Sequence, residues 1–155
     1  KCFRRVMVIS DGVRRHLHIS KAKSEIVPVG CDQPKFLPKE RGADLDFIFV
    51  YIGTFFNRRM PLMIAAFSEF VNAKKFSFSQ MRPKLVIIGA SDSRDVAECL
   101  GIAAELGCSN YVDILFRLDH RELEPFFRMA SVGVAYIPEL WCYQYQPPTK
   151  ILEPA

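Results

Sequence analysis

The 155 residues carry 21 Lys or Arg against 17 Asp or Glu, a formal charge of +4, with 50% hydrophobic and 25% charged residues. A chain of this length can bury roughly 70% of the surface it exposes when unfolded, so one soluble globular domain is expected. No apolar run approaches the ~20 residues a membrane-spanning helix needs, and no signal-peptide pattern opens the chain, which argues against a spanning or secreted protein. Five scattered cysteines (Cys2, Cys31, Cys99, Cys108, Cys142) show no C-x-x-C spacing and no zinc-type partner. Free, mostly buried thiols in a reducing cytoplasm are expected.

Charge is concentrated at the start. Residues 1–41 hold ten Lys/Arg against four Asp/Glu, a net +6, which leaves −2 for the rest. Arg4, Arg5, Arg14, Arg15, Lys21 and Lys23 are the basic residues there that an anionic surface would meet. Nucleic-acid binding also asks for stacking aromatics, and this segment offers only Phe3 and Phe36, so a solvated helix face and a linker are the expectation. The pattern predicts a short helix over Asp11–His18, then extended Glu25–Gly30, then a Pro- and charge-rich connector from Pro34 to Asp46.

From Phe47 onward a unit repeats. Phe47–Ile52 has the length and β-branched, aromatic content of a strand buried on both faces, and it stops at Gly53. Pro61 suits a first helical turn, and Met63, Ala66, Phe67, Phe70 and Val71 recur on one helical face. Leu85–Ile88 follows as a strand ending at Gly89. Ser91-Asp-Ser93 then signals a helix whose Val96, Cys99, Leu100, Ala103 and Ala104 share a face before Gly107. Tyr111–Phe116 reads as a third strand, Leu123, Phe126, Phe127 and Ala130 as a helix, and Val132–Ile137 as a fourth strand. Strands separated by helical crossovers run parallel, so the expected fold class is α/β: a Rossmann-like doubly wound parallel sheet with helices on both faces. In such a sheet ligands bind outside the carboxyl ends of the strands, which directs attention to Gly53–Arg59, Gly89–Ser93, Phe116–His120 and Pro138–Lys150.

The first of these loops brings Arg58 and Arg59 to a helix start, where backbone N–H groups and the helix dipole already favour an anion such as phosphate. In the last, Thr149 can cap a helix, and Lys150 to Glu153 are expected in its first turn. A carboxylate there can accept two hydrogen bonds from a ribose diol and a lysine can reach a phosphate, although complementing the helix dipole explains Glu153 equally well. Trp141, Tyr143 and Tyr145 form an aromatic loop beside the site. His16 and His18, two residues apart, make a poor metal pair on a helix, and His120 stands at a helix start near the crevice.

The order Phe47-Ile-Phe-Val-Tyr-Ile-Gly-Thr54, Arg59, Leu85-Val-Ile-Ile-Gly89, Val112–Leu118, Ala130–Pro138 and Pro148-Thr-Lys-Ile-Leu-Glu153 resembles the C-terminal, donor-binding domain of group 1 (family four) glycosyltransferases of GT-B fold. Ile26–Asp32 with Phe36 is similar to the interdomain segment, and Val8-Ile-Ser10 to the end of the N-terminal domain. The resemblance implies a boundary, with residues 1–41 closing the N-terminal domain and connecting it to a nucleotide-sugar-binding domain, 42–155. It also implies a partial chain, incomplete at its C-terminus, with the main catalytic groups on the other domain.

Matched by position, Gly53, Thr54, Arg59, Leu118, Asp119, Tyr145, Lys150 and Glu153 are the implied donor-binding residues. Arg59 corresponds to the basic residue that holds the donor diphosphate, Glu153 to the second glutamate of E-x7-E, which bonds the ribose, and Leu118 and Asp119 to the stretch along the nucleobase. Tyr145 stands where the first glutamate belongs, Thr54 where many members carry a second basic residue, and Phe116 where many have glycine. The implied partners are a nucleotide-diphosphate sugar and an acceptor sugar or lipid-linked saccharide; the basic N-terminal segment would suit lipid-linked acceptors at the inner membrane face, and no nucleic acid, cofactor or metal is expected. Asp44-Leu-Asp46 has the D-x-D spacing of metal-dependent glycosyltransferases of the other fold, but it precedes a strand, at the end of the sheet away from the expected site. Two other classes stay open: an epimerase or non-catalytic nucleotide-sugar module of the same fold, and a flavodoxin-like regulatory domain.

Overall fold

In the computed structural model, which describes residues 3–28, 30, 46–73, 82–140 and 143–145, the chain opens with a small parallel unit. Strand β1 (Val6–Val8) leads into helix α1 (Asp11–His16) and returns through a short 3-10 turn to β2 (Ser24–Ile26), which pairs with β1. Ser10 starts α1 because its hydroxyl accepts the Val13 N–H at 3.1 Å, satisfying a donor that the first turn leaves open. Arg14 and Arg15 both pair with Asp11, so part of the positive charge foreseen here is neutralised within the helix. Of the connector, residues 31–45 lie outside the described part of the chain.

The main sheet is built from β3 (Asp46–Ile52), β4 (Arg82–Ala90), β5 (Val112–Phe116) and β6 (Val132–Val134), all parallel, in the spatial order β5-β4-β3-β6. Helices α2 (Met60–Asn72), α3 (Ser93–Glu105) and α4 (Glu124–Met129) make the crossovers. Because side chains alternate along a strand, each central strand feeds two cores. Tyr51, Leu85 and Ile87 pack with Met60, Ile64 and Phe67 of α2 and Cys99 and Ala103 of α3. Val50, Val86 and Ile88 point the other way, onto Leu123, Phe126 and Phe127 around α4. This is the doubly wound α/β arrangement expected from the apolar runs, with α2 and α3 on one face and α4 on the other.

Several details differ from the sequence pattern. Strand β4 runs from Arg82 to Ala90, beyond the expected Leu85–Ile88 at both ends and through Gly89. In α3 Cys99 and Ala103 are buried, whereas Leu100 and Ala104 are exposed; small side chains let the helix sit close on the sheet through a strip narrower than the apolar pattern. In α2 the buried face centres on Ile64, which is fully enclosed, rather than only on the Met63–Val71 stripe. Tyr111 belongs to a 3-10 turn that precedes β5. Strand β6 ends at Val134 instead of reaching Ile137, since Tyr136 turns its carbonyl to Arg58 and Pro138 has no N–H for a ladder.

At the strand ends glycine has a steric duty. Gly89 has φ +130°, and a Cβ on it would stand 2.1 Å from the Gly53 carbonyl oxygen. The ends of β3 and β4 thus approach backbone to backbone, with Gly53 N–H donating to the Ile88 carbonyl at 2.9 Å and a bulge in the β4/β5 register between Ile88 and Ala90.

Candidate functional site

The chain winds from β3 outward to β4 and β5, then crosses the opposite face on α4 to place β6 on the other side of β3. Strand order therefore reverses between β3 and β6, and at such a switch point the loops leaving the two strands part and open a crevice. The β3 loop, 53–59, and the segment after β6 border it.

Within the β3 loop Asn57 and Arg59 are both left-handed, at φ 55° and 46°. Asparagine tolerates that region, whereas arginine is placed there at a strain of about 1–2 kcal/mol. Arg59 is the N-cap of α2 and makes no side-chain capping bond; Pro61 occupies the first turn. Its side chain is exposed, with no acidic partner in an ion pair among the described residues. A guanidinium held at the positive end of a helix is electrostatically unfavourable by itself and favourable once an anion is bound beside it. Strained backbone of this kind collects at functional sites.

Arg58 does something different, which the sequence did not foretell. Its Nη1 donates to the Tyr136 carbonyl at 2.9 Å, and its guanidinium lies 4.9 Å from the centroid of the Tyr143 ring, within range of a cation–π attraction. It ties the loop after β3 to the segment after β6 across the mouth of the crevice. No local spacing announces such a contact, because its partners stand about eighty residues away. Beneath it, the Tyr51 hydroxyl donates to the Thr54 carbonyl at 2.9 Å. Burial pushes the Tyr51 phenol up to about 12, partly opposed by the nearby Arg58 charge; the hydroxyl is a fixed donor near neutral pH that pins the start of the loop.

At the neighbouring strand ends, Asp92 caps α3 by accepting from Arg94 and Asp95 N–H, and its bond with the Arg94 side chain holds its carboxyl below the usual range. Asp119 and Glu122 form a capping box at the start of the following 3-10 turn, where the Glu122 carboxylate accepts the Asp119 N–H at 2.8 Å; Asp119 is exposed beside the β5 end. Leu118 packs against the α4-side core. His120 is exposed in the following 3-10 turn, and His16 and His18 are also exposed.

Of the expected donor-binding residues, Gly53, Thr54 and Arg59 come together on the β3 loop, Leu118 and Asp119 stand at the end of β5, and Tyr145 lies against α1. Lys150 and Glu153, together with Trp141, lie outside the described residues. Asp46 is the first residue of β3, at the end of the sheet opposite the crevice, and pairs with Arg82 at 3.7 Å; Asp44 lies outside the described residues. Among the described residues no group of three His, Cys, Asp or Glu is arranged to hold a metal ion, and no helix is long and apolar enough to cross a membrane.

By sequence, the chain matches no protein-family model and no curated protein. By structure, it is similar to sucrose-phosphate synthase from Thermosynechococcus elongatus, with a TM-score of 0.58 and 24% identity over 83% of this chain. It is also similar to the apo form of the lipopolysaccharide outer core galactosyltransferase WaaB, with a TM-score of 0.53 and 18% identity over 77%. Both are glycosyltransferases of GT-B fold, and the likeness shows that this chain has the Rossmann-like half-domain of that fold. The chain spans about a third of the length of either neighbour, 33% and 32%.

Proposed function

We propose that the chain is the donor-binding half of a glycosyltransferase, taking a nucleotide-diphosphate sugar for transfer to an acceptor hydroxyl with retained anomeric configuration. The observation that carries the reading is Arg59: an exposed guanidinium without an acidic partner among the described residues, strained into the left-handed region, at the amino end of α2 beside the β3/β6 switch point. That combination suits a diphosphate.

In the transfer, the bond from the anomeric carbon to the diphosphate oxygen breaks, the acceptor oxygen bonds that carbon on the same face, and the hydroxyl proton passes to an oxygen of the departing diphosphate. The electron pair goes to the departing diphosphate. Arg59 and the positive end of the α2 dipole meet that charge, the guanidinium contact being worth a few kcal/mol in a dry site. By the resemblance, Lys150 assists, Glu153 holds the ribose, and Leu118 and Asp119 run along the base. No metal or organic cofactor is part of the proposal. The acceptor and the remaining catalytic groups belong to the other half of the enzyme. A hexosyl donor, a role in polysaccharide assembly, and a cytoplasmic site of action near lipid-linked acceptors complete the proposal.

Thermal denaturation of the chain with a panel of uridine, guanosine and adenosine diphosphate sugars tests it. One member should raise the melting temperature, reaching about 2.7 kcal/mol of stabilisation at 100-fold its Kd. Arg59→Ala should weaken that ligand roughly tenfold or more, as expected for loss of a charge-assisted phosphate contact. No stabilisation by any member, or equal stabilisation of the variant, would overturn the reading.

A further inference from the structure

Tyr145 meets α1 through three separate contacts across 135 residues of sequence. Its carbonyl accepts the Ser10 hydroxyl at 2.7 Å, the same hydroxyl that caps α1. Its ring lies 5.0 Å from the His16 ring, tilted by 32°. Its Cδ1 and Cβ lie over Gly12, where an added methyl would come within 2.8 and 3.3 Å of them.

Gly12 is the informative partner. A glycine in the first turn of a six-residue helix weakens it by roughly 1 kcal/mol relative to alanine, and this one lacks the positive φ that would require glycine. What excludes a side chain there is the tyrosine. Rotating the ring about χ1 moves Cδ1 away but leaves the tight 3.3 Å contact with the Tyr145 Cβ, which does not move with that torsion. Two residues earlier, Tyr143 sits under the Arg58 guanidinium, so one short segment is gripped at both ends, by α1 and by the β3 loop.

We propose that Tyr145 is a latch: a positioning residue that fastens the N-terminal β1–α1–β2 unit to the segment bordering the crevice, working through ring shape and a backbone carbonyl. The latch stands independently of what the crevice binds. Through Tyr143 and Arg58 it makes α1 and the β3 loop parts of one mechanical unit.

Hydrogen exchange of the full 155-residue chain, followed by mass spectrometry in the absence of ligand, tests this. The reporters are the α1 amides bonded within 10–19, such as Arg14 to Ser10 and Leu17 to Val13, with β4 as the gauge of global unfolding. Tyr145→Ala should speed α1 exchange severalfold while β4 is unchanged, and Tyr145→Phe should behave as wild type. Gly12→Ala gives the discriminating sign. In the wild-type background it should speed α1 exchange, because the methyl displaces the ring; in the Tyr145→Ala background it should slow it, because alanine is the better helix former. Gly12→Ala slowing exchange in both backgrounds, Tyr145→Ala leaving α1 unchanged, or equal losses in α1 and β4 would each overturn the latch.

Discussion

Two adjacent arginines in one loop take opposite parts. Arg58 is bound at an edge by a carbonyl and at a face by a ring, and its planar fork suits that double contact as a lysine ammonium would not; Arg59 is left without an acidic partner among the described residues at a helix start. Tyr51 anchors the same loop from below, and its behaviour with pH reports on that anchoring. An unfolded chain loses the phenolic proton near pH 10, the folded one near 12. The stability carried by the neutral phenol is therefore complete below pH 10 and is lost as pH rises from 10 to 12, by about 2 kcal/mol after allowance for screening. Tyr51→Phe should cost about 1 kcal/mol at neutral pH for the lost hydrogen bond to Thr54 and should flatten the decline between pH 10 and 12. Urea denaturation at pH 9, 10.5 and 11.5 measures both effects; the same slope in both proteins would refute the assignment.

At the scale of elements, α2 carries the site because its buried face fixes its amino end. Ile64 is fully enclosed and Phe67 and Met60 flank it, whereas Leu100 on α3 is 41% exposed. Ile64→Ala should lower stability by about 2–5 kcal/mol, and Leu100→Ala by less than about 1 kcal/mol. The denaturant midpoints of the two variants check this, and comparable losses would mean that the buried faces are wrongly drawn. The central strands and their parallel direction were legible in the sequence because β-branched runs mark them and helix-length crossovers leave few topologies, although β4 continues through Gly89 to Ala90. The exposure of Leu100 and Ala104 was not legible: an apolar stripe does not say how wide a strip the neighbouring sheet will cover. The early end of β6 was hidden for a related reason, since Ala135–Ile137 are as apolar as a strand and leave it only to reach Arg58. In the site, Gly53, Thr54 and Arg59 could be found because they follow a strand and precede a helix. The clasp of Arg58 on Tyr136 and Tyr143 and the seat of Tyr145 on Gly12 join residues far apart in sequence, and no local spacing encodes them.

For the molecule as a whole, two sheets of unequal security are joined. The four-stranded sheet is covered on both faces, as parallel sheets require. The β1/β2 pair leaves Met7 76% and Ile26 42% exposed, so its steadiness owes more to α1 and its contact with Tyr145 than to a core of its own. Along the flank of α2, Phe49, Met63, Phe70 and Val134 line an apolar groove of about 430 Å³, distinct in chemistry from the charged mouth of the crevice. Of the two, the crevice offers a diphosphate the Arg59 guanidinium and the positive end of α2.

Amide chemical-shift mapping on the isotope-labelled chain, titrated with the nucleotide sugar or its nucleoside diphosphate, tests that assignment most directly. Binding at the switch point shifts the amides of Thr54–Met60 and of Ala135 and Tyr136, and leaves those at the amino ends of β3 and β4 in place. Saturable shifts confined to the opposite end of the sheet, or none at millimolar nucleotide, would contradict it.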